Sequence, residues 1–266
     1  MARIVLGVEY CGAGFEGWQT QPHGRTVQDC LTAAVVTIAG APLHIQCAGR
    51  TDTGVHAAVQ VAHFDTEAKR PLTAWVRGVN AHLPDGVAVT WAREVGDDFH
   101  ARFSARARTY RYVLHNRPVR NVLLNGRVGW FHAPLDLAAM QAGVAHVRGT
   151  HDFSSFRAAQ CQAHSPVRSL MRAEVSAIGE WFVFEFEANA FLHHMIRNLV
   201  GALVHVGKGS CSPEWMAELL AQRDRRYAPP TFAPDGLYLA GVDYPDSWQL
   251  PDGGRIIAPA FMPSGF

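Results

Sequence analysis

One succession of hydrophobic patterns, run through twice, constrains the fold of this 266-residue chain more than any other feature. RIVLGVEY is a β-type run that stops at the glycine-rich stretch CGAGFEGW. Thr26 then opens a helix, with Asp29 three residues on in a capping-box-like spacing, and VQDCLTAAVVTIAG carries it. LHIQCAG and AAVQVAHFDT read as strands, Pro71 opens a helix through about Ala81, and VAVTWAREV is again a strand. The order β-α-β-β-α-β is the split ferredoxin-like pattern. Past DDFHARFSAR the succession returns: TYRYVLHN as a strand, LDLAAMQAGVAHV as a helix, and RSLMRAEVSAIG with EWFVFEFEAN as a hairpin through Gly179-Glu180. FLHHMIRNLVGALVHVG is helical by its apolar spacing, with glycines at its end. SPEWMAELLAQ is a second helix with a Ser cap and a leading proline, and GLYLAGVDYP closes as a strand. The expected organisation is α+β: a ferredoxin-like half over 1–105, a second over 106–246, and an irregular Pro/Gly-rich tail over 247–266.

Composition agrees with two ordinary globular halves, since 48% of residues are hydrophobic. A formal net charge of +1 identifies no partner, because any basic surface is balanced elsewhere. The five cysteines (Cys11, Cys30, Cys47, Cys161, Cys211) show no CxxC spacing, which argues against a disulfide framework and a thiolate zinc site. The opening MARIVLGVEYCG is too soon broken to be a signal peptide, and no apolar run is long enough to span a membrane. A soluble cytoplasmic protein without bound metal is expected.

Chemistry concentrates in AGRTDTGVHA, residues 48–57. Asp52-Thr53-Gly54 reads as a turn, but a bare turn leaves Arg50 unexplained. The sharper expectation is a carboxylate on a tight loop, held ionised by the guanidinium two residues upstream. Asp-Thr-Gly is also the signature of aspartic proteases, which need two such carboxylates sharing a proton. The chain has no second Asp-Thr-Gly or Asp-Ser-Gly, and Arg50 would oppose proton sharing.

ARFSARARTYRY interleaves arginines with Phe103, Tyr110 and Tyr112. On a strand, Arg106, Arg108, Tyr110 and Tyr112 fall on one face, a combination suited to phosphates and splayed bases. Arg223, Arg225 and Arg226 make another basic cluster, read as a solvated loop. In HHMIRN, helical spacing places His193 and Arg197 on one face. An arginine in so apolar a helix needs an anionic partner or an exit to water, and Asp52 is the expected partner. His193 and His194, as neighbours on a helix, would diverge too far to share a metal. His56 and His63 are expected to be hydrogen-bonding residues.

The stretches FEGWQTQP with RTVQ, GRTDTGVHA with QVAHFDT, DDFHARFSARARTYRY, DFSSFRAAQCQ, NAFLHHMIRN and GLYLAGVDYP together resemble the tRNA pseudouridine synthase A (TruA) family, in family order over about residues 3–245. Two departures are mild: Cys11 where an acidic residue is common, and Thr53 where alanine often follows the aspartate. The resemblance implies two ferredoxin-like halves forming a continuous mixed sheet with a central active-site cleft, in a homodimer. It implies conversion of uridine to pseudouridine in the anticodon arm of tRNA, at positions 38, 39 and 40, without cofactor or metal. Asp52 matches the family nucleophile, Arg50 and Arg197 match arginines around it, Tyr110 the tyrosine packed on the uracil, and Leu237 an apolar wall. Arg106 and Arg108 are candidates for the RNA backbone. The rival from another class is a tandem RNA-binding module, but the RNP1 pattern is absent from the strands that should carry it.

Overall fold

The computed structural model describes residues 1–251; of the tail expected over 247–266, residues 252–266 lie outside the described residues. The fold is α+β and divides into two compact units. The first is Met1–Ala107 with the described chain from Tyr238 onward, and the second is Arg108–Leu237.

The first unit has strands β1 (Ala2–Tyr10), β2 (Gln46–Cys47), β3 (His56–Thr66), β4 (Val87–Val95) and β10 (Leu237–Asp243), and helix α1 (Val27–Ala39). β1 lies antiparallel between β4 and β3, and β2 pairs antiparallel with the later part of β3. This is the ferredoxin-like order that the sequence periodicity predicts. The capping of α1 is also as read: Thr26 Oγ1 accepts from the Asp29 amide at 3.2 Å, and Gly40 ends the helix at φ 74°. Two expectations change. LHIQCAG is strand only at Gln46–Cys47, which stand opposite His63 and Ala62 of β3. The helix predicted from Pro71 spans 72–80, and its middle, Ala74–Gly78, is wound as a π-helix. Trp75 is fully buried there, edge-on to Phe64 at 5.2 Å.

The closing strand, expected to complete the second half, pairs in parallel with β3 of the first unit (Tyr238 with His56, Leu239 with Ala57). That makes the first unit's sheet mixed. No local pattern in GLYLAGVDYP specifies this partner.

The second unit has β5 (Ala107–Asn116), β6 (Gly129–Phe131), α2 (Leu137–Ala145), β7 (Gly149–Asp152), β8 (Val167–Ile178), β9 (Trp181–Ala188), α3 (Met195–Gly207) and α4 (Trp215–Gln222). Its strands run β5-β9-β8-β7, all antiparallel, with β6 parallel to β5. The β8–β9 hairpin turns through Gly179 (φ 58°) and Glu180, as predicted. β6 and β7, three and four residues long, were not anticipated. α3 also starts later than its apolar spacing suggests. His194 takes left-handed backbone (φ 63°), so Phe191–His194 lie ahead of the helix. His193 and Arg197 therefore do not share a helical face, and the helical argument against His193 and His194 lying together does not apply: their rings are 4.0 Å apart. Among the described residues no helix is long and apolar enough to cross a membrane.

Candidate active site

The loop 48–55 joins β2 to β3, and its backbone is fixed from several directions within the first unit. At its start, the Ala48 amide donates to Val61 O at 2.8 Å. Gln60, wholly buried on β3, donates from Nε2 to Gly49 O at 2.6 Å, and its Oε1 accepts from the Gly49 amide at 3.4 Å. The Tyr10 hydroxyl and Thr51 Oγ1, both buried, are hydrogen-bonded at 2.8 Å. Thr51 O accepts from the Trp18 amide at 3.0 Å, and Asp52 O accepts from Val55 N at 3.1 Å. Gly54, at φ 79° in this last turn, occupies backbone space that favours glycine.

The glycine-rich stretch after β1 is the other wall. A Cβ on Gly12 would lie 2.1 Å from Val55 O, and one on Gly17 2.8 Å from Thr51 O and 3.3 Å from the Asp52 carbonyl carbon. Those glycines are what allow two backbones to touch. The same stretch is tied to α1, because Gly17 O and Trp18 O accept from the Val27 and Gln28 amides. The Gln28 side chain continues the link, accepting from Thr20 N and donating to Ile45 O at 2.9 Å. Just past the loop, His56 Nδ1 accepts from the Gly12 amide at 3.0 Å, and its ring stacks on Tyr238 at 4.5 Å. His56 is thus a hydrogen-bonding residue, as expected. His63 is one too: it accepts from Ala101 N at 3.3 Å, and burial, with His100 and Arg3 nearby, lowers its pKa to about 4.

Asp52 is half-buried on this fixed loop. Arg50 is not its partner: the side chain is exposed, and no hydrogen bond or ion pair joins it to Asp52 among the described residues. An exposed guanidinium keeps its hydration and gains little from pairing. Tyr10, Thr51, Gln60, Gly12 and Gly17 had no assigned role from sequence. Of these, Gly17, Thr51 and Gln60 lie inside FEGWQTQP, GRTDTGVHA and QVAHFDT, whereas Tyr10 and Gly12 lie just ahead of the first.

The second unit holds the other sequence-predicted residues except Arg106, which lies near the end of the first. Tyr110 and Tyr112 share a face of β5 and are both buried, while Arg111 between them pairs with Glu185 at 2.6 Å. Tyr110 meets Phe191 edge-on at 5.1 Å. Tyr112 donates to Ala233 O at 3.0 Å and packs on Phe184 and Phe232. Burial, and secondarily the Asp235 charge, raise its phenol pKa against the opposing pull of Arg197. Arg197, on α3, donates from Nε to Phe232 O at 2.8 Å. Leu237, buried, opens β10. Arg106 and Arg108 differ: Arg106 is exposed ahead of β5, whereas Arg108 is buried and donates to Asn189 O at 3.1 Å.

The first unit is thus a ferredoxin-like α+β scaffold that clamps a loop carrying the half-buried Asp52 carboxylate. The chain matches the model of the family described as tRNA pseudouridine synthase over residues 7–104 and 144–245. It is 62% identical over 250 residues to the tRNA pseudouridine synthase A of Dechloromonas aromatica (strain RCB), covering 94% of this chain and 95% of that protein. It is 60% identical over 261 residues to the protein of the same name from Aromatoleum aromaticum, covering 98% and 99%. The chain belongs to the tRNA pseudouridine synthase family, and it is an isomerase.

Proposed function

We propose that the chain converts uridine to pseudouridine in the anticodon arm of tRNA, at positions 38, 39 and 40, with Asp52 as the nucleophile, acting in the cytoplasm as a homodimer. The observation that carries the reading is the clamped loop. Tyr10, Gln60, Gly12 and Gly17 fix the backbone on either side of Asp52, which is what a group needing a narrow angle of attack requires. The reaction breaks the N1–C1′ bond, turns the detached uracil, joins C5 to C1′ and releases the C5 proton, while N1 ends protonated, so that product and substrate are isomers. The carboxylate serves it by attack at C1′ or C6, or by assisting loss of the C2′ proton. Tyr110 is assigned to stacking on the uracil, with its hydroxyl aiding removal of the C5 proton. Arg50, Arg197 and Leu237 are assigned to the substrate, and Arg106 and Arg108 to the RNA backbone.

Tritium release from tRNA carrying C5-labelled uridine tests this. Wild-type protein should release label, and Asp52→Asn should release none while tRNA affinity stays within a few-fold. Substantial turnover by the Asn variant would remove Asp52 from the nucleophile's role. A wild type that binds tRNA and releases no label would favour a non-catalytic binding module.

A further inference from the structure

An open hollow of about 240 Å³ in the second unit is lined by Ser154, Arg157, Ala158, Arg223, Asp224 and Arg225 among others. Three arginines line one small space, and the carboxylate beside them is already engaged. Arg226 holds Asp224 from Nε at 3.1 and 3.0 Å and from Nη2 at 2.6 Å, which keeps the Asp224 carboxyl down at about 2. The hollow therefore retains a positive excess.

Each of the three arginines is held differently. Among the described residues the partners of Arg225 are neutral: Ala228 O at 2.9 Å, Asn198 Oδ1 at 3.1 Å and Thr231 Oγ1 at 3.3 Å. Asn198 is wholly buried and is itself fixed by donating to Phe156 O at 2.7 Å. An arginine oriented by a buried amide, with no carboxylate to neutralise it, is placed for an anion from outside. Arg223 ends α4 in left-handed backbone (φ 50°), a position that costs a long side chain about 1 kcal/mol relative to glycine. Its ionic contact among the described residues, Asp152 Oδ2 at 3.7 Å, is loose, and 69% of the side chain is exposed. Arg157, half-buried, makes no side-chain hydrogen bond or ion pair among the described residues. Ser155, between these segments, donates to Leu219 O and accepts from Asp224 N at 2.9 Å, so both walls are pinned to one buried hydroxyl.

We infer that this hollow binds a backbone phosphate of the tRNA substrate, through residues other than those assigned to the target base. The inference rests on the reading that the chain acts on tRNA. A phosphodiester presents two non-bridging oxygens and one negative charge. The planar donor forks of Arg157 and Arg223 can meet those oxygens, while fixed Arg225 supplies charge from below. Such a contact positions RNA without reading its sequence.

Arg157→Gln and Arg223→Gln test it, since neither guanidinium anchors the fold; thermal melting checks that both variants remain folded. Binding of full-length tRNA is followed by fluorescence anisotropy over a salt series, together with tritium release at saturating tRNA. Each variant should bind several-fold more weakly, with a log K against log salt slope shallower by about 0.7–0.9. Label release at saturation should be unchanged, and Arg157→Lys should restore the slope. Wild-type slopes in both Gln variants of an active enzyme would overturn the phosphate site alone. Absence of label release by the wild type would instead overturn the functional reading on which it rests.

Discussion

Replacing Gln60 with methionine would test whether the loop's position, and not only its composition, serves the reaction. The substitution keeps the length of the side chain and removes its amide. It deletes the 2.6 Å bond to Gly49 O, the 3.4 Å bond from Gly49 N and a 3.4 Å bond donated to the Tyr10 hydroxyl. The first contributes about 1 kcal/mol net and the two long ones little, while a carbonyl left without a partner costs about 1–3 kcal/mol. With the loop held in place, the loss in stability is therefore about 2–4 kcal/mol. The loop can reduce that loss by moving Gly49 toward water, but Asp52 lies three residues on and moves with it. A displacement on the order of 1 Å costs an oriented reaction about 100-fold in rate. Urea unfolding reads the first quantity and single-turnover tritium release the second. The expected result is a loss near 2 kcal/mol together with a rate lower by 10- to 100-fold, at unchanged tRNA affinity. A variant with wild-type single-turnover rate and a stability loss below about 0.5 kcal/mol would refute the clamp.

Three further outcomes follow from the geometry. His63 titrates at about 4 in the fold against an ordinary 6.5, so the unfolded chain takes up its proton first as the pH falls. Its contribution is complete above pH 6.5 and declines toward pH 4; after discounting for solvent access, urea unfolding at pH 7 and pH 5 should differ by roughly 1–2 kcal/mol, and a flat profile would contradict this. Arg197→Lys should lower turnover more than tRNA binding, because an ammonium cannot donate to Phe232 O and keep a planar fork for other partners; equal losses would count against it. Arg106→Ala and Arg108→Ala should each flatten the salt dependence of tRNA binding, and Arg108→Ala should in addition reduce thermal stability, since that side chain is buried on Asn189 O; unchanged salt slopes would count against both assignments.

Where local pattern and tertiary structure ask for the same thing, the sequence was readable. Period-two runs gave β1, β3, β4 and the β8–β9 hairpin, and the Thr26–Asp29 spacing gave the start of α1. β6 and β7 were hidden because three or four residues carry no measurable period. α3 was begun too early because apolar spacing cannot register the single left-handed residue, His194, that stops a helix from propagating backward. The site divided in the same way. Asp52 stood out by its chemistry, in a setting of glycine and arginine. Gln60 and Tyr10 did not, because on a strand they look like any inward-facing residue until the loop they hold is seen. Arg50 misled for the opposite reason: proximity in sequence says nothing about whether a charge leaves water.

The parallel pairing of β10 with β3 has a consequence for how the protein is made. β3 is translated early, yet the residues that pair with His56 and Ala57 emerge only after the whole of Arg108–Leu237 has left the ribosome. A nascent chain must therefore carry the edge that follows the 48–55 loop uncovered through most of its synthesis. Unpaired strand edges are sites of misassociation, and closures between distant segments are slow. The second unit, continuous in sequence, has no such wait. Translation arrested before Tyr238 would leave a chain able to build that unit but lacking the strand beside His56, so the parallel edge of the first sheet is among the last features a newborn molecule acquires.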